Sequence, residues 1–235
     1  MDSKLLRVAI DGPSGSGKST IAKLIAKDFG LDYVDTGAMY RAFGLKIIRS
    51  GIPCKQGPEM DALLEETSVD YRGGAVYLDG EDVSSLIRTQ EVSKMASDCS
   101  AFKEVRSKLD SIQKEIGRTR SVVMDGRDIC SVVMPHAEVK LYITASAEER
   151  ARRRFLELQE KGENPVYETI LKEINERDYN DTHRKVNPLI KVADAIEIDT
   201  TEMNIEEVLW EAKKCIIDTI TSDTDQYDDF IEYTK

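Results

Sequence analysis

Short apolar runs alternate along the chain with longer segments in which apolar residues recur every three or four positions. The short runs predict buried strands, and they cover Arg7–Asp11, Leu31–Val34, Ser121–Met124, Val139–Ile143 and Ala195–Ile198. The longer segments predict amphipathic helices over about 21–29, 36–51, 89–117, 147–161, 166–182 and 205–216. Because strands and helices alternate, we predict an α/β fold in which helices cover both faces of a parallel sheet, giving three layers.

The stretch 68–83 breaks this alternation. Strand-forming residues there are divided by two pairs that favour tight hairpin turns, Gly73-Gly74 and Asp79-Gly80. We therefore predict a small antiparallel meander. It belongs to an insert over 52–88, within one domain that covers residues 1–221.

Composition narrows the class of protein. The 235 residues are 33% charged and 40% hydrophobic, and no apolar run approaches the roughly 18–20 residues that cross a bilayer. Because residues 1–4 lead directly into the first predicted strand, we expect no signal peptide. The four cysteines form no CxxC pair. We expect a cytoplasmic protein with free thiols and no membrane partner.

The formal net charge of -11 disfavours a nucleic-acid partner, because nucleic acids are polyanions. Part of this charge lies in residues 222–235, which we predict to form a flexible acidic tail without an assigned function. No exposed apolar seam stands out, so we expect a monomer. Arginines are concentrated in a few segments, and those segments are the candidates for binding an anionic ligand.

The segment between the first strand and its helix carries the strongest motif. It reads Gly12-Pro13-Ser14-Gly15-Ser16-Gly17-Lys18-Ser19, a full match to the glycine-rich phosphate loop, and its strand–loop–helix context is what a chance match lacks. Glycines let the backbone wrap an anion at the positive end of a helix dipole. Lys18 supplies a charge for the β- and γ-phosphates, and the Ser19 hydroxyl is a ligand for Mg²⁺.

A second candidate segment follows the strand that ends at Met124. It reads Asp125-Gly126-Arg127-Asp128, and a strand ending in aspartate is typical of the carboxylate near Mg²⁺ in phosphate-loop enzymes. A turn with a surface ion pair is the alternative. Arg41, just after the second strand, favours the first interpretation, because two arginines from different loops indicate a second anion beside the nucleotide.

Two helices carry polar stripes. The first stripe consists of Arg150, Arg153 and Arg154. It predicts either a solvated surface or a lid that carries arginines onto the transferring phosphoryl group. The second stripe consists of Arg177, Asp181 and Arg184. Its spacing suits contacts with a sugar and a phosphate, although such a stripe is often only solvated.

Together these segments predict transfer of a phosphoryl group from a nucleotide to a phosphorylated acceptor. An acceptor phosphate is ionised near neutral pH, so no histidine or carboxylate is needed as a base. Positioning and charge stabilisation by arginines, Lys18 and Mg²⁺ carry the catalysis. The abundance of arginine and the presence of only two histidines fit this chemistry.

In these motifs and their order, the chain resembles the bacterial-type cytidylate kinases over about residues 5–220. The shared pieces are Ile10–Ser19, Asp35–Arg41, Ile87–Ser93, Asp125–Asp128 and Arg177–Arg184. The resemblance implies a P-loop NTPase fold of the nucleoside monophosphate kinase type, with a small antiparallel β insert and a helical lid over 150–166. It also implies phosphorylation of CMP and dCMP to CDP and dCDP, with ATP as the donor and Mg²⁺ as cofactor.

The resemblance further implies a role for each candidate residue. ATP is expected to contact Gly12, Pro13, Ser14, Gly15, Ser16, Gly17, Lys18, Ser19, Thr20 and Arg153, with Ser19 on the metal. The cytosine ring is expected to contact Ser97, Arg106 and Asp128, the acceptor phosphate Thr36, Arg41 and Arg127, and the ribose Arg177 and Asp181. Arg184 is expected to approach the phosphates, and catalysis to depend on Lys18, Arg41, Arg127, Arg153 and Arg184.

Two adjacent positions depart from the family's pattern. Cys130 and Ser131 stand where the family carries glycine and threonine, so we expect a narrower pocket or an altered turn there. Two alternatives remain for the whole chain: another small-molecule kinase of this fold, of the UMP or shikimate type, or a nucleotide-binding module without catalysis. The intact lysine and arginines of the motifs disfavour the second alternative.

Overall fold

A computed structural model describes residues 5–222 of the chain. These residues form two compact units, one of residues 5–33 and 121–222 and the other of Val34–Arg120. The strands are β1 (Arg7–Asp11), β2 (Asp32–Asp35), β3 (Val69–Arg72), β4 (Ala75–Leu78), β5 (Glu81–Asp82), β6 (Val122–Gly126), β7 (Val139–Thr144) and β8 (Ile196–Asp199). The α-helices are α1 (Lys18–Asp28), α2 (Thr36–Ser50), α3 (Pro58–Glu66), α4 (Gln90–Cys99), α5 (Lys103–Thr119), α6 (Ala147–Glu160), α7 (Tyr167–His183) and α8 (Ile205–Thr221).

A five-stranded sheet forms the centre of the first unit, with the strand order β2-β6-β1-β7-β8. Strand β1 pairs in parallel with β6 and β7, and β7 pairs in parallel with β8. Helices α1 and α8 pack against one face, where Val8, Ile10 and Leu141 are fully buried. The predicted parallel sheet flanked by helices is confirmed. In a parallel sheet the carboxyl ends of β1, β6 and β7 lie at one edge. The phosphate loop, which follows β1, and Asp125, near the end of β6, therefore lie at the same edge.

The second unit contains the predicted antiparallel meander, β3-β4-β5. Gly73 and Gly74, between β3 and β4, have φ angles of 59° and 78°. Asp79 and Gly80, between β4 and β5, have φ angles of 51° and 87°. Two consecutive positive φ angles are the signature of a tight hairpin turn, and this explains why the sequence places glycine and aspartate there.

The stretch predicted to be helical over 89–117 is helical except for one break, which divides it into α4 and α5. The chain turns at Phe102, whose backbone is extended (φ -85°, ψ 128°) and whose N–H donates to the carbonyl of Cys99 at 3.0 Å. No glycine or proline marks this break in the sequence. Helix α3 and a π-helical turn at Ile129–Val133 were also not predicted.

The remaining expectations concern the cysteines, membrane-spanning helices, the boundaries of the insert and lid, and the C-terminal tail. The four cysteines are free thiols, as predicted. Over residues 5–222, no helix combines the length and the apolar character needed to traverse a lipid bilayer. The boundaries of the insert and of the lid stay predictions, and the predicted acidic tail lies outside the described residues except for Ser222.

Candidate active site

The phosphate loop joins β1 to α1 at the carboxyl edge of the sheet. Gly12 begins it with a φ of 148°, and a Cβ atom there would lie 2.0 Å from the carbonyl oxygen of Ile143 in β7. Only glycine allows this close approach between loop and strand. Gly15 and Gly17 also have positive φ angles, 79° and 89°. The loop therefore curls so that its amide groups and the first turn of α1 form an anion-binding terminus.

Lys18 is the first residue of α1 and is almost fully buried. Its Nζ donates to the carbonyl of Pro13 at 2.6 Å, which folds the side chain back over the loop. Burial lowers the pKa of Lys18 well below its ordinary value, and the nearby positive charge of Arg127 lowers it further. A phosphate bound in the loop reverses this, because its negative charge favours the ammonium form.

Ser19 and Asp125 are joined directly. The Ser19 hydroxyl donates to Asp125 Oδ2 at 2.7 Å, and the hydroxyl of Tyr33 donates to Asp125 Oδ1 at 2.9 Å. The carboxylate at the end of β6 is thereby oriented toward the start of α1. A hydroxyl and a carboxylate beside a phosphate loop are oxygen donors of the kind that Mg²⁺ takes together with substrate phosphates. Within residues 5–222, no cluster of three or more acidic, histidine or cysteine side chains forms a separate metal site.

A buried carboxylate holds the segment that follows Asp128. Asp11 Oδ1 accepts from the backbone N–H of Ile129 at 2.9 Å, and Oδ2 accepts from that of Cys130 at 2.8 Å. Burial raises the pKa of Asp11 to about 6 even though both hydrogen bonds lower it. Asp11 thus fixes the π-helical turn at Ile129–Val133 and, with it, the backbone from which Asp128 projects.

Cys130 lies on the sheet side of this turn. Its thiol is buried and approaches the carbonyl oxygens of Ala9 at 3.5 Å and Leu141 at 3.8 Å, in β1 and β7. The turn that carries Cys130 is π-helical. The narrower pocket and the altered turn expected at this position both stay predictions. Ser131, the other departure from the family's pattern, is half-buried in the same turn.

Four of the predicted substrate residues in the first unit meet in one charged cluster: Arg127, Asp128, Asp181 and Arg184. Arg127 Nε donates to Asp181 Oδ2 at 2.8 Å. Arg184 Nη1 lies 4.0 Å from Asp181 Oδ1, and Arg184 Nη2 lies 3.7 Å from Asp128 Oδ1. The Nε group of Arg184 donates to the carbonyl of Asn187 at 2.7 Å. Burial opposes ionisation of Asp181, but the neighbouring arginines outweigh it and the pKa of Asp181 falls below its ordinary value. The cluster presents fixed charges suited to a polar, anionic ligand.

The three arginines of the predicted stripe lie on one helix, α6, and their guanidinium groups have different partners. Arg150 is buried and donates to the carbonyl of Ser14 in the phosphate loop. Arg153 donates to Thr200, and Arg154 forms an exposed pair with Glu157. Only Arg150 touches the loop directly.

The second unit holds the other predicted residues. Asp35 caps α2 by accepting from the amide of Ala38 at 2.8 Å, and it accepts from Arg41 Nη2 at 2.8 Å. Thr36 is buried at the start of the same helix, and Ser97 is half-buried in α4. Thr36 and Arg41 therefore share the first turns of one helix. Their joint action on one phosphate stays a prediction.

Arg106 is the largest fully buried side chain of the described residues. Its guanidinium lies 5.2 Å from the ring centre of Tyr40 and donates to the carbonyl of Ser100 at 3.1 Å. The hydroxyl of Tyr40 in turn donates to Asp110 at 2.9 Å. Sequence reasoning missed Tyr40 and Asp110 as members of this group. The four-residue spacing from Arg106 to Asp110 on a helix was the signal available for the second.

Fold and site together are those of a P-loop nucleotide-binding enzyme. The fold is similar to that of a solved gluconokinase from Sinorhizobium meliloti 1021, with a TM-score of 0.50, 14% identity, and coverage of 94% of this chain and 97% of that one. At this identity the likeness concerns the fold alone.

Sequence comparison gives the family. The chain belongs to the cytidylate kinase family, whose model matches residues 8–218. It is 50% identical to the cytidylate kinase of Caldicellulosiruptor saccharolyticus, over 88% of this chain and 93% of that protein. It is 51% identical to the cytidylate kinase of Fervidobacterium nodosum, over 86% of this chain and 92% of that protein.

Proposed function

We propose that this protein transfers the γ-phosphoryl group of ATP to CMP and dCMP, forming CDP and dCDP. The observation that carries the proposal is the phosphate loop with Lys18 folded over it and Ser19 bound to Asp125, in a chain of the cytidylate kinase family. A coupled assay of ADP release with CMP, dCMP, UMP, AMP and shikimate tests it. Much faster turnover of UMP, AMP or shikimate than of CMP contradicts it, and so does absence of turnover with all five.

Each group of site residues has a proposed role that its chemistry suits. On the donor side, backbone amides of residues 12–20 bind phosphate oxygens and Lys18 adds a mobile charge. The proposed acceptor-phosphate ligands are Thr36, Arg41 and Arg127, the base ligands Ser97, Arg106 and Asp128, and the ribose ligands Arg177 and Asp181. Arg153 and Arg184 stabilise the charge that develops on the transferring group. The reaction needs no proton abstraction, so these fixed charges account for the catalysis.

We include Mg²⁺ in the proposal. Ser19 Oγ is the proposed protein ligand and Asp125, which accepts its hydrogen bond, orients it. When bound, the ion neutralises charge on the β- and γ-phosphates.

Ser19→Ala is expected to raise the Mg²⁺ concentration for half-maximal activity about tenfold, because the loss of an oriented ligand or its support typically weakens metal affinity by 10–100-fold. The measurement is initial rate against Mg²⁺ at fixed ATP. Ser50→Ala, which removes a hydroxyl bonded to the carbonyl of Ile47, is the matched control. An unchanged Mg²⁺ requirement for Ser19→Ala removes this residue from the metal site.

We also propose that residues 150–166 act as a lid. Arg153 supports this role because its guanidinium is held by carbonyl and hydroxyl groups of Thr200 and by Glu149, partners that a phosphate can replace. Thr200 also donates to the carbonyl of Ser16, at 3.3 Å, so this arginine starts one residue away from the phosphate loop.

Arg153→Ala is expected to lower kcat about tenfold with little change in KM for ATP, because the contact strengthens as charge develops on the phosphoryl group. Hydrogen exchange through residues 151–165 is expected to slow when a bisubstrate analogue binds. Lys172→Ala, an exposed substitution on α7, is the control. Normal turnover of Arg153→Ala together with ligand-independent exchange means that α6 is only a surface helix.

The remaining proposals concern the oligomeric state, the location in the cell and the partners. We propose a monomer that acts in the cytoplasm, with no nucleic-acid and no membrane partner. The large exposed apolar side chains of residues 5–222 support this, since they are spread over α6, α7, β8, α8 and the connecting segments. Light scattering at assay concentration tests the monomer, and a dimeric mass overturns it.

A further inference from the structure

Arg150 occupies an unusual position for an arginine. It lies in the first turn of α6 and only 4% of its surface is exposed. Its guanidinium makes hydrogen bonds to three separate segments: Nε to the carbonyl of Ala145 at 2.9 Å, Nη1 to the carbonyl of Ser14 at 3.1 Å, and a two-point contact to the carboxylate of Asp178 at 3.0 and 2.5 Å. A buried guanidinium with this many partners is fixed in place.

The contact with Ser14 acts on the phosphate loop itself. The carbonyl of Ser14 and the N–H of Gly15 belong to one planar peptide, so fixing the direction of the carbonyl fixes the direction of the amide. Gly15 has a φ of 79°, and a Cβ atom on it would be 3.4 Å from Cβ of Arg150, so side chain and loop are also packed together. Arg150 thereby sets the orientation of an amide in the loop that binds phosphate.

The contact with Asp178 links the loop to α7. Asp178 follows Arg177 directly and precedes Asp181 by one helical turn, and both neighbours are proposed ribose ligands. One guanidinium therefore bridges the donor-binding loop and the helix that carries part of the acceptor site.

We propose that Arg150 is a positioning residue that orients the Ser14–Gly15 peptide for phosphate binding and, through Asp178, holds α7 in register with the loop. The inference rests on the proposed function, in which this loop binds ATP. It assigns Arg150 to the fixed frame of the site, so the mobile part of the lid begins after it.

The experiment measures the dissociation constant for ATP by calorimetry and the Tm of each variant. Arg150→Leu removes all three sets of contacts, Arg150→Lys keeps the charge without the planar fork, and Asp178→Asn weakens the two-point contact. Arg7→Leu is the matched control. Arg7 makes the same kind of two-point contact with Glu138, at 3.0 and 2.5 Å, but at the start of β1, the end opposite the loop.

Arg150→Leu and Arg7→Leu are both expected to lower Tm, whereas only Arg150→Leu weakens ATP binding, by about tenfold or more. Arg150→Lys and Asp178→Asn are expected to weaken it by about threefold, and they decide the question if Arg150→Leu does not fold. Wild-type ATP affinity in the folded Arg150 and Asp178 variants overturns the proposal. Because ATP binding is measured without an acceptor, failure of CMP phosphorylation in the wild type is seen separately.

Discussion

Lys18→Ala is expected to lower kcat about 10³-fold while the protein stays folded. The ammonium group is the charge that follows the β- and γ-phosphates into the transition state, and removing one such preorganised group costs about 10²–10³ in rate, with the larger value where the charge is buried. The fold is expected to survive for two reasons. The hydrogen bond lost with Nζ lies within the loop, and the variant no longer buries the amino group whose burial lowers the pKa of Lys18.

The measurements are steady-state rates at saturating ATP and CMP and a thermal melt. Lys27→Ala, at the exposed end of the same helix, is the control and is expected to keep wild-type turnover. If Lys18→Ala turns over within a few-fold of the wild type, the phosphate loop is not the site of transfer. If it unfolds instead, Lys18→Met, which retains the aliphatic stem, provides the same comparison.

Asp128→Asn is expected to narrow the ratio of kcat/KM for CMP to that for UMP by roughly 10–100-fold. A carboxylate accepts from the exocyclic amino group of cytosine but opposes the carbonyl oxygen that uracil carries at the same position. Such a mismatch between buried polar groups costs about 1–3 kcal/mol. The asparagine amide donates to the uracil carbonyl, so CMP turnover falls and UMP turnover rises.

Both substrates are compared in the same variant, which cancels general losses of activity. Asp194→Asn removes an exposed carboxylate that pairs with Lys140 and is expected to leave the ratio unchanged. A ratio in Asp128→Asn equal to that of the wild type places base discrimination elsewhere, with Arg106 as the next candidate.

The parts of the fold that local sequence determines were predictable. The alternation of strands and helices, the phosphate loop and the two hairpin turns each depend on short-range pattern or on glycine geometry, and each is confirmed. The break between α4 and α5 was not predictable in this way. The extended backbone of Phe102 interrupts the helical stretch although phenylalanine has no strong intrinsic tendency to end helices, so no residue type marks the break.

The candidate site shows the same division. Residues in contiguous motifs, such as Lys18 and Ser19, were identified from the sequence together with their proposed chemistry. Tyr33, which binds Asp125 across 92 residues, and Asp178, which binds Arg150 across 28, were not. These pairs exist only once strands and helices are assembled, and no local pattern marks them. The proposed roles of the site residues stay predictions until substrates are tested.

Ionisation of the buried Asp11 carboxyl has opposite effects on the folding free energy and on the hydrogen bonds that hold the backbone after Asp128. With a folded-state pKa of about 6 and an ordinary value of 3.8, its contribution to folding free energy is fully present below pH 3.8 and is lost as the pH rises through 6. The loss amounts to about 3 kcal/mol, from about 1.4 kcal/mol for each pKa unit. Protonation also removes one of the two acceptors that hold the amides of Ile129 and Cys130. For this group, the pH of greatest folding stability is therefore lower than the pH at which the backbone behind Asp128 is held most firmly.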